Sequence, residues 1–177
     1  MTVVDLMNLE DQADLDFTVA RRRARLGRLK TLLLRRRTRS TLLSLEELRR
    51  SIPASGAMYR GRSTVEVSRI VGSVGKHNQF DQNFMPLSKA SPEKWKRIDK
   101  AFRVGQELPS VSLLELGGNY FVIDGNHRVS VARLHGVEWI DAEVTGYKAL
   151  RTRPHIPAAD TLCTAYKQGL ATATALL

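Results

Sequence analysis

The chain has 177 residues and a single cysteine, Cys163. One thiol excludes a disulfide framework and a thiolate metal cluster. No apolar run approaches the ~20 residues that a membrane-spanning helix needs. The first residues also lack the charged-then-apolar order of a signal peptide, because Asp5, Glu10, Asp11, Asp14 and Asp16 stand there. A cytoplasmic protein is the expectation. The four histidines show neither zinc spacing nor an HExxH pair, and no GxSxG elbow is present. The run Gly72-Ser73-Val74-Gly75-Lys76-His77 evokes a phosphate-binding loop. It fails as one, because Ile70 and His77 occupy the places that a first glycine and a Ser or Thr require.

What is present is unevenly distributed. Residues 20–50 hold 12 Lys/Arg against 2 Asp/Glu, so they carry the whole net charge of +10, and the remainder has 16 of each sign. Residues 1–16 read as an acidic tail or a short frayed helix. From Asp16 to Arg39 Val19, Leu26, Leu29 and Leu33 recur at helical spacing, and arginines cover the other directions. The leucine stripe suits packing on the body or on a second subunit. Arg21, Arg22, Arg25, Arg28, Arg35, Arg36 and Arg37 suit the phosphates of DNA or RNA, or an acidic membrane surface. The segment has almost no aromatic residues, which argues against base stacking. Thr41–Ser51 reads as a second helix with Ser44 and Glu47 as a capping box. Pro53–Gly61 reads as a linker.

Ser63–Val71 alternates like a strand, and the loop after it carries Lys76, His77 and Asp81 as a wall for a substrate. Ser91 and Pro92 open a helix whose buried stripe is Trp95, Ile98 and Phe102, ended by Gly105. Pro109–Leu116 and the strand from Tyr120 form a hairpin across Gly117-Gly118-Asn119. Tyr120–Ile123 has the β-branched and aromatic character of a buried strand. Asp124, Gly125, Asn126, His127 and Arg128 follow at once. A helix then begins, with Val129, Ala132 and Leu134 for a core and Gly136 as its stop. This turn joins the carboxyl end of a strand to the positive end of a helix, where unpaired amides favour an anion. Gly125 lets the backbone approach a ligand, Arg128 offers a two-pronged donor, and His127 can donate a hydrogen bond or shuttle a proton near neutral pH. Asp124 binds Mg²⁺, pairs with Arg128 or takes a substrate proton, and Ser130 lies in the first turn. Val137–Val144 returns to strand, and Asp160–Leu177 reads as a terminal helix.

The run DGNHR followed by SVARLHG resembles the signature of the ParB/sulfiredoxin superfamily, and is most similar to stand-alone ParB-like domains, often labelled ParB-like nucleases. The resemblance covers about Val65 to Val144. It implies an α+β fold, a small mixed sheet with packed helices, here preceded by a basic helical segment. The expected division is 1–60, 61–146 and 147–177. The resemblance further implies a nucleotide (ATP, ADP or CTP) with Mg²⁺, bound by Gly125, Asn126, His127, Arg128 and Ser130. Asp124 and His127 would then serve as catalytic groups of a nucleotide-dependent switch or a phosphotransferase. A sulfiredoxin's cysteine is replaced by Asn126, which removes that chemistry. The alternative is a DNA-binding regulator or ParB-like nuclease that works through the arginine helix. A homodimer is compatible with either.

Overall fold

The computed structural model describes residues 3–33, 42–45 and 54–149, with side chains over 8–29, 42–45 and 56–147. At its centre is the expected hairpin. Strand β4 (Val111–Leu116) turns into β5 (Asn119–Asp124) through Gly117 and Gly118, whose φ values of 59° and 80° are both positive. A two-residue turn of that hand matches the twist of the strands it joins, and glycine adopts it without a Cβ penalty.

Four further strands complete the sheet: β1 (Leu43–Ser44), β2 (Ala54–Glu66), β3 (Ile70–Ser73) and β6 (Trp139–Ala149). The order is β1-β3-β5-β4-β6-β2. The β4–β5 and β2–β6 pairs are antiparallel and the other three pairs parallel, so the sheet is mixed. Three helices pack with it: α1 (Val3–Leu33), α2 (Pro92–Arg103) and α3 (Asn126–Leu134).

Helix α3 is the middle layer. Its Val129 joins Val111, Leu113 and Val122 of the sheet and Phe80 and Phe84 of the preceding loop in one core. Its Val131 and Leu134 pack instead with Trp95 of α2 and with Phe17, Ala20 and Ala24 of α1. The opposite sheet face is filled by Leu114, Leu116, Phe121 and Leu45. Helix α2 starts as the sequence suggests, with Pro92 in its first turn and Ser91 Oγ accepting from Lys94 N at 3.3 Å.

Several expectations are corrected. Pro53–Gly61 is not a linker from Ala54 onward, since those residues begin the 13-residue strand β2, bulged at two places along β6. Ser63–Val71 is not one strand either. A short 3₁₀ turn at Val67–Arg69 separates β2 from β3, which lie on opposite sides of the sheet. Strict alternation would set Ile70 on the face of Glu66, opposite Val65 and Val67; the turn resets the phase, and all three apolar residues are buried. Arg133 holds that turn by donating to the carbonyls of Val67 (2.9 Å) and Ile70 (2.8 Å).

Leu42 has no regular structure, Leu43 and Ser44 are strand and Leu45 is helical; Thr41 and residues 46–51 lie outside the described residues. Helix α1 begins well before Asp16, and its buried residues are Ala13, Phe17, Ala20 and Ala24. Val19, Leu26 and Leu29 are exposed instead. In α2 the buried partner of Trp95 is Asp99, whereas Phe102 lies at the surface, stacked on His135 at 4.7 Å. Ile123 also emerges, 48% exposed. Arg35, Arg36, Arg37 and the helix expected over 160–177, with Cys163, lie outside the described residues.

Candidate anion-binding site

Strand β5 delivers the chain to Asp124, and Gly125 swings it into α3 with φ 103°. A Cβ there would lie 2.7 Å from Val111 Cγ1 and 3.1 Å from Arg128 Nε, so no side chain fits. Gly125 O accepts from Val129 N at 3.0 Å, which closes the first helical turn. The amides of Asn126, His127 and Arg128 precede that bond. In an α-helix such groups have no intrahelical acceptor, and glycine supplies no capping side chain.

These amides border a cavity of about 750 Å³. Its lining includes the cations Lys76, Lys94, Arg97 and Lys100, with Asp124 the one carboxylate among the lining residues. Ile98 and Ala101, on the same helix α2, add apolar surface together with Val104, Leu108, Pro109 and Leu9 of α1. Two polar atoms at the α3 end are buried without a hydrogen-bond partner among the described residues: Asn126 Oδ1 and His127 Nε2. Their residues are 3% and 7% exposed. Buried polar groups are nearly always paired, so such orphans point to a missing ligand or water.

His127 is held neutral. Burial pushes its pKa down to about 4, the charges of Lys76 and Lys94 push the same way, and Asp124 opposes them. Its ring stands edge-on to Phe80 at 5.3 Å. The expectation of a proton shuttle near neutral pH is therefore corrected: His127 offers a neutral imidazole nitrogen.

Arg128 also differs from expectation. Its guanidinium donates to the carbonyl of Pro109, to that of Ser110 at 2.7 Å and to the Asp124 carboxylate, and its side chain is only 12% exposed. It braces the cavity rim against β4 instead of presenting a fork to solvent. Asp124 Oδ2 is correspondingly occupied. Ser130, expected near a phosphate, is wholly buried and accepts from Trp95 Nε1 at 2.9 Å.

Of the loop residues, only Lys76 reaches the cavity. Asp81 is buried, and its Oδ1 accepts from the amides of Asn83 (2.9 Å) and Met85 (2.8 Å), so it fixes the loop's shape. Burial raises its pKa, against those bonds and the nearby Arg133 and Arg28. His77 is half-buried and does not line the cavity. Arg21, Arg22, Arg25 and Arg28 lie along α1 and do not line it either.

Lys94, Arg97 and Lys100 were not singled out from the sequence. Their spacing places them on the solvent side of α2, but nothing local shows that this side borders the turn at Gly125. A buried junction was missed as well. His135 Nε2 lies 2.7 Å from Asp99 Oδ1, and Arg103 binds both Asp99 and Asp16, which ties the ends of α2 and α3 to α1. Asp16, Asp99 and His135 are the one metal-compatible cluster among the described residues. Arg103 already supplies their counter-charge. In a separate groove lined by Arg62, Thr64, Glu107, Asp141 and Glu143, Arg62 pairs with Glu143 at 3.1 Å and Thr64 donates to Asp141 at 3.2 Å.

No family model and no curated protein matches the chain. Among solved structures, it is similar to a sulfiredoxin from Arabidopsis thaliana, with TM-score 0.37 and 14% identity, over 47% of this chain and 82% of that one. It is also similar to a Pnob8-like ParB-N domain, with TM-score 0.34 and 14% identity, over 63% of this chain and 38% of that one.

Proposed function

We propose that the chain is a nucleotide-binding domain that seats a di- or triphosphate on the N-terminus of α3. The observation that carries this reading is a coincidence in space. An uncapped helix start and a row of cations line one cavity, and two of its lining residues, Asn126 and His127, each carry a buried polar atom without a partner among the described residues. The amides of residues 126–128 would take phosphate oxygens, and Lys76, Lys94 and Arg97 would neutralise them. The apolar surface formed by Ile98, Ala101, Val104 and Leu108 would receive the base. This is also what the resemblance of DGNHR to the ParB/sulfiredoxin signature implies, with ATP, ADP or CTP as candidates.

A protein-held Mg²⁺ site fits less well. Asp124 is the single carboxylate at the cavity, and Arg128 already occupies one of its oxygens. Any Mg²⁺ would arrive on the phosphates. Burial and the neighbouring lysines make His127 a weak base, and Arg128 engages one Asp124 oxygen, which favours a switch over a phosphotransferase.

Thermal unfolding of the full chain with ADP, ATP and CTP, each with and without Mg²⁺, tests the reading. A bound nucleotide at a hundredfold excess over Kd should add about 2.7 kcal/mol of stability. The Lys76→Ala/Lys94→Ala variant should weaken binding about tenfold or more, since each lysine supplies a charge-assisted contact. Equal shifts from nucleosides lacking phosphate, or no shift from any nucleotide, would reject the proposal.

A further inference from the structure

Helix α1 has two apolar stripes, and the body uses only one. Ala13, Phe17, Ala20 and Ala24 are buried against α2 and α3. Leu15, Val19, Leu26 and Leu29 are 66%, 42%, 49% and 52% exposed. At about 100° per residue the two stripes lie roughly 170° apart around the helix. The second one therefore faces straight away from the protein.

The flanks of that outer stripe are cationic. Arg25 and Arg21 lie on one side, Arg23 on the other, and Arg22 within it; Arg22, Arg23 and Arg25 are exposed. Of the described acidic residues of α1, Asp11 is exposed on that outer face, about three turns before Arg22, and the others are engaged by α2. Glu10 is paired with Lys100 (2.7 Å), Asp14 with Lys96 (2.6 Å) and Asp16 with Arg103, all on α2. We infer that this outer face of α1 is a docking surface for an anionic lipid bilayer, with the leucines entering the headgroup boundary and the arginines holding the lipid phosphates.

Charge complementarity selects this occupant. Apolar side chains flanked by arginines match an interface that is apolar below and anionic above. Nucleic acid would engage the arginines but leave the four apolar residues in water. A second copy of the chain is disfavoured by its own charge. Pairing two such stripes about a two-fold axis near Arg22 sets the Arg21–Arg25 clusters of both copies against each other, and a parallel pairing does the same. No helix among the described residues is long and apolar enough to cross a membrane, so the contact is with the surface.

The full chain should float with phosphatidylcholine vesicles that contain phosphatidylserine and not with phosphatidylcholine alone, and salt should weaken the binding. Two double variants test the two halves of the surface: Leu26→Gln with Leu29→Gln, and Arg22→Gln with Arg25→Gln. Each should lower vesicle affinity about tenfold or more while the thermal unfolding curve stays unchanged, because all four side chains are exposed. Three results would overturn the inference. One is failure to bind the phosphatidylserine vesicles, and another is binding that survives both variants. The third is light scattering that shows a dimer in place of vesicle binding, or duplex DNA bound in place of vesicles and unaffected by the leucine changes. Nucleotide stabilisation should be the same in both variants, so failure here leaves the α3 site untouched.

Discussion

Gly125→Ala is expected to cost about 3 kcal/mol of stability and to abolish the proposed nucleotide binding. Two effects add. At φ 103° a side chain is strained by roughly 1–2 kcal/mol. The new Cβ would also lie 2.7 Å from Val111 Cγ1 and 3.1 Å from Arg128 Nε, an overpacking of about 1–3 kcal/mol. Neither neighbour yields easily. Val111 is fully buried in β4, and Arg128 is held by two carbonyls and Asp124. Any relief must shift the start of α3, and with it the amides proposed to hold phosphate. Gly136→Ala is the control. Its φ of 70° is also positive, but nothing lies within 4 Å of the new carbon, so it should cost only the strain, about 1 kcal/mol. Urea unfolding of both variants measures the difference. Equal costs would mean that the strand β4 and the turn at Gly125 do not approach each other as described.

Acidification is expected to remove up to about 3 kcal/mol of stability through His127 alone. Its folded pKa is about 4 against an ordinary 6.5, so between those values the unfolded chain binds the extra proton. Stability from this group is complete above pH 6.5 and falls as pH drops to 4. Asp81 and Asp99 act in the opposite sense. Burial raises both pKa values, so the folded state binds protons first and gains stability as the pH falls. The diagnostic is therefore the difference between the wild-type protein and His127→Gln, measured by denaturant unfolding from pH 7 to pH 4. The variant's curve should lack the His127 slope. Parallel curves would show that His127 is protonated as readily in the folded protein as in the unfolded chain.

The parts of the fold legible in the sequence are those set by short-range chemistry. Gly117-Gly118 announces a tight hairpin, Ser91-Pro92 a helix start and Gly136 a helix end, because each acts on a backbone a few residues away. The strand–turn–helix around Gly125 was legible for the same reason. The uncapped helix start expected there is present, since its amides belong to the turn itself. Of the expected cations, Lys76 does reach the cavity, whereas Arg128 is engaged by protein oxygens. Arg128 has the right chemistry for phosphate, but its acceptors at Pro109 and Ser110 are nearly twenty residues away in the chain. Lys94, Arg97 and Lys100 border the cavity only because Trp95 anchors α2 on Ser130 of α3.

Helix α1 shows the same division. Its helical period was readable, but its inner face was not. The leucines are the more apolar choice, yet the close approach of α1 to α2 is made by Ala13, Ala20 and Ala24, whose small side chains let the helices meet around Phe17 and Trp95. By itself, then, the sequence determined where strands and helices begin and end around the turn at Gly125, and that the helix there starts without a side-chain cap. Tertiary packing alone decided which cations line the cavity beside it, which stripe of α1 stays outside, and that one alternating run becomes two separate strands. Propensity and capping act within a turn or two of chain. Burial and pairing act between segments that only the folded molecule brings together.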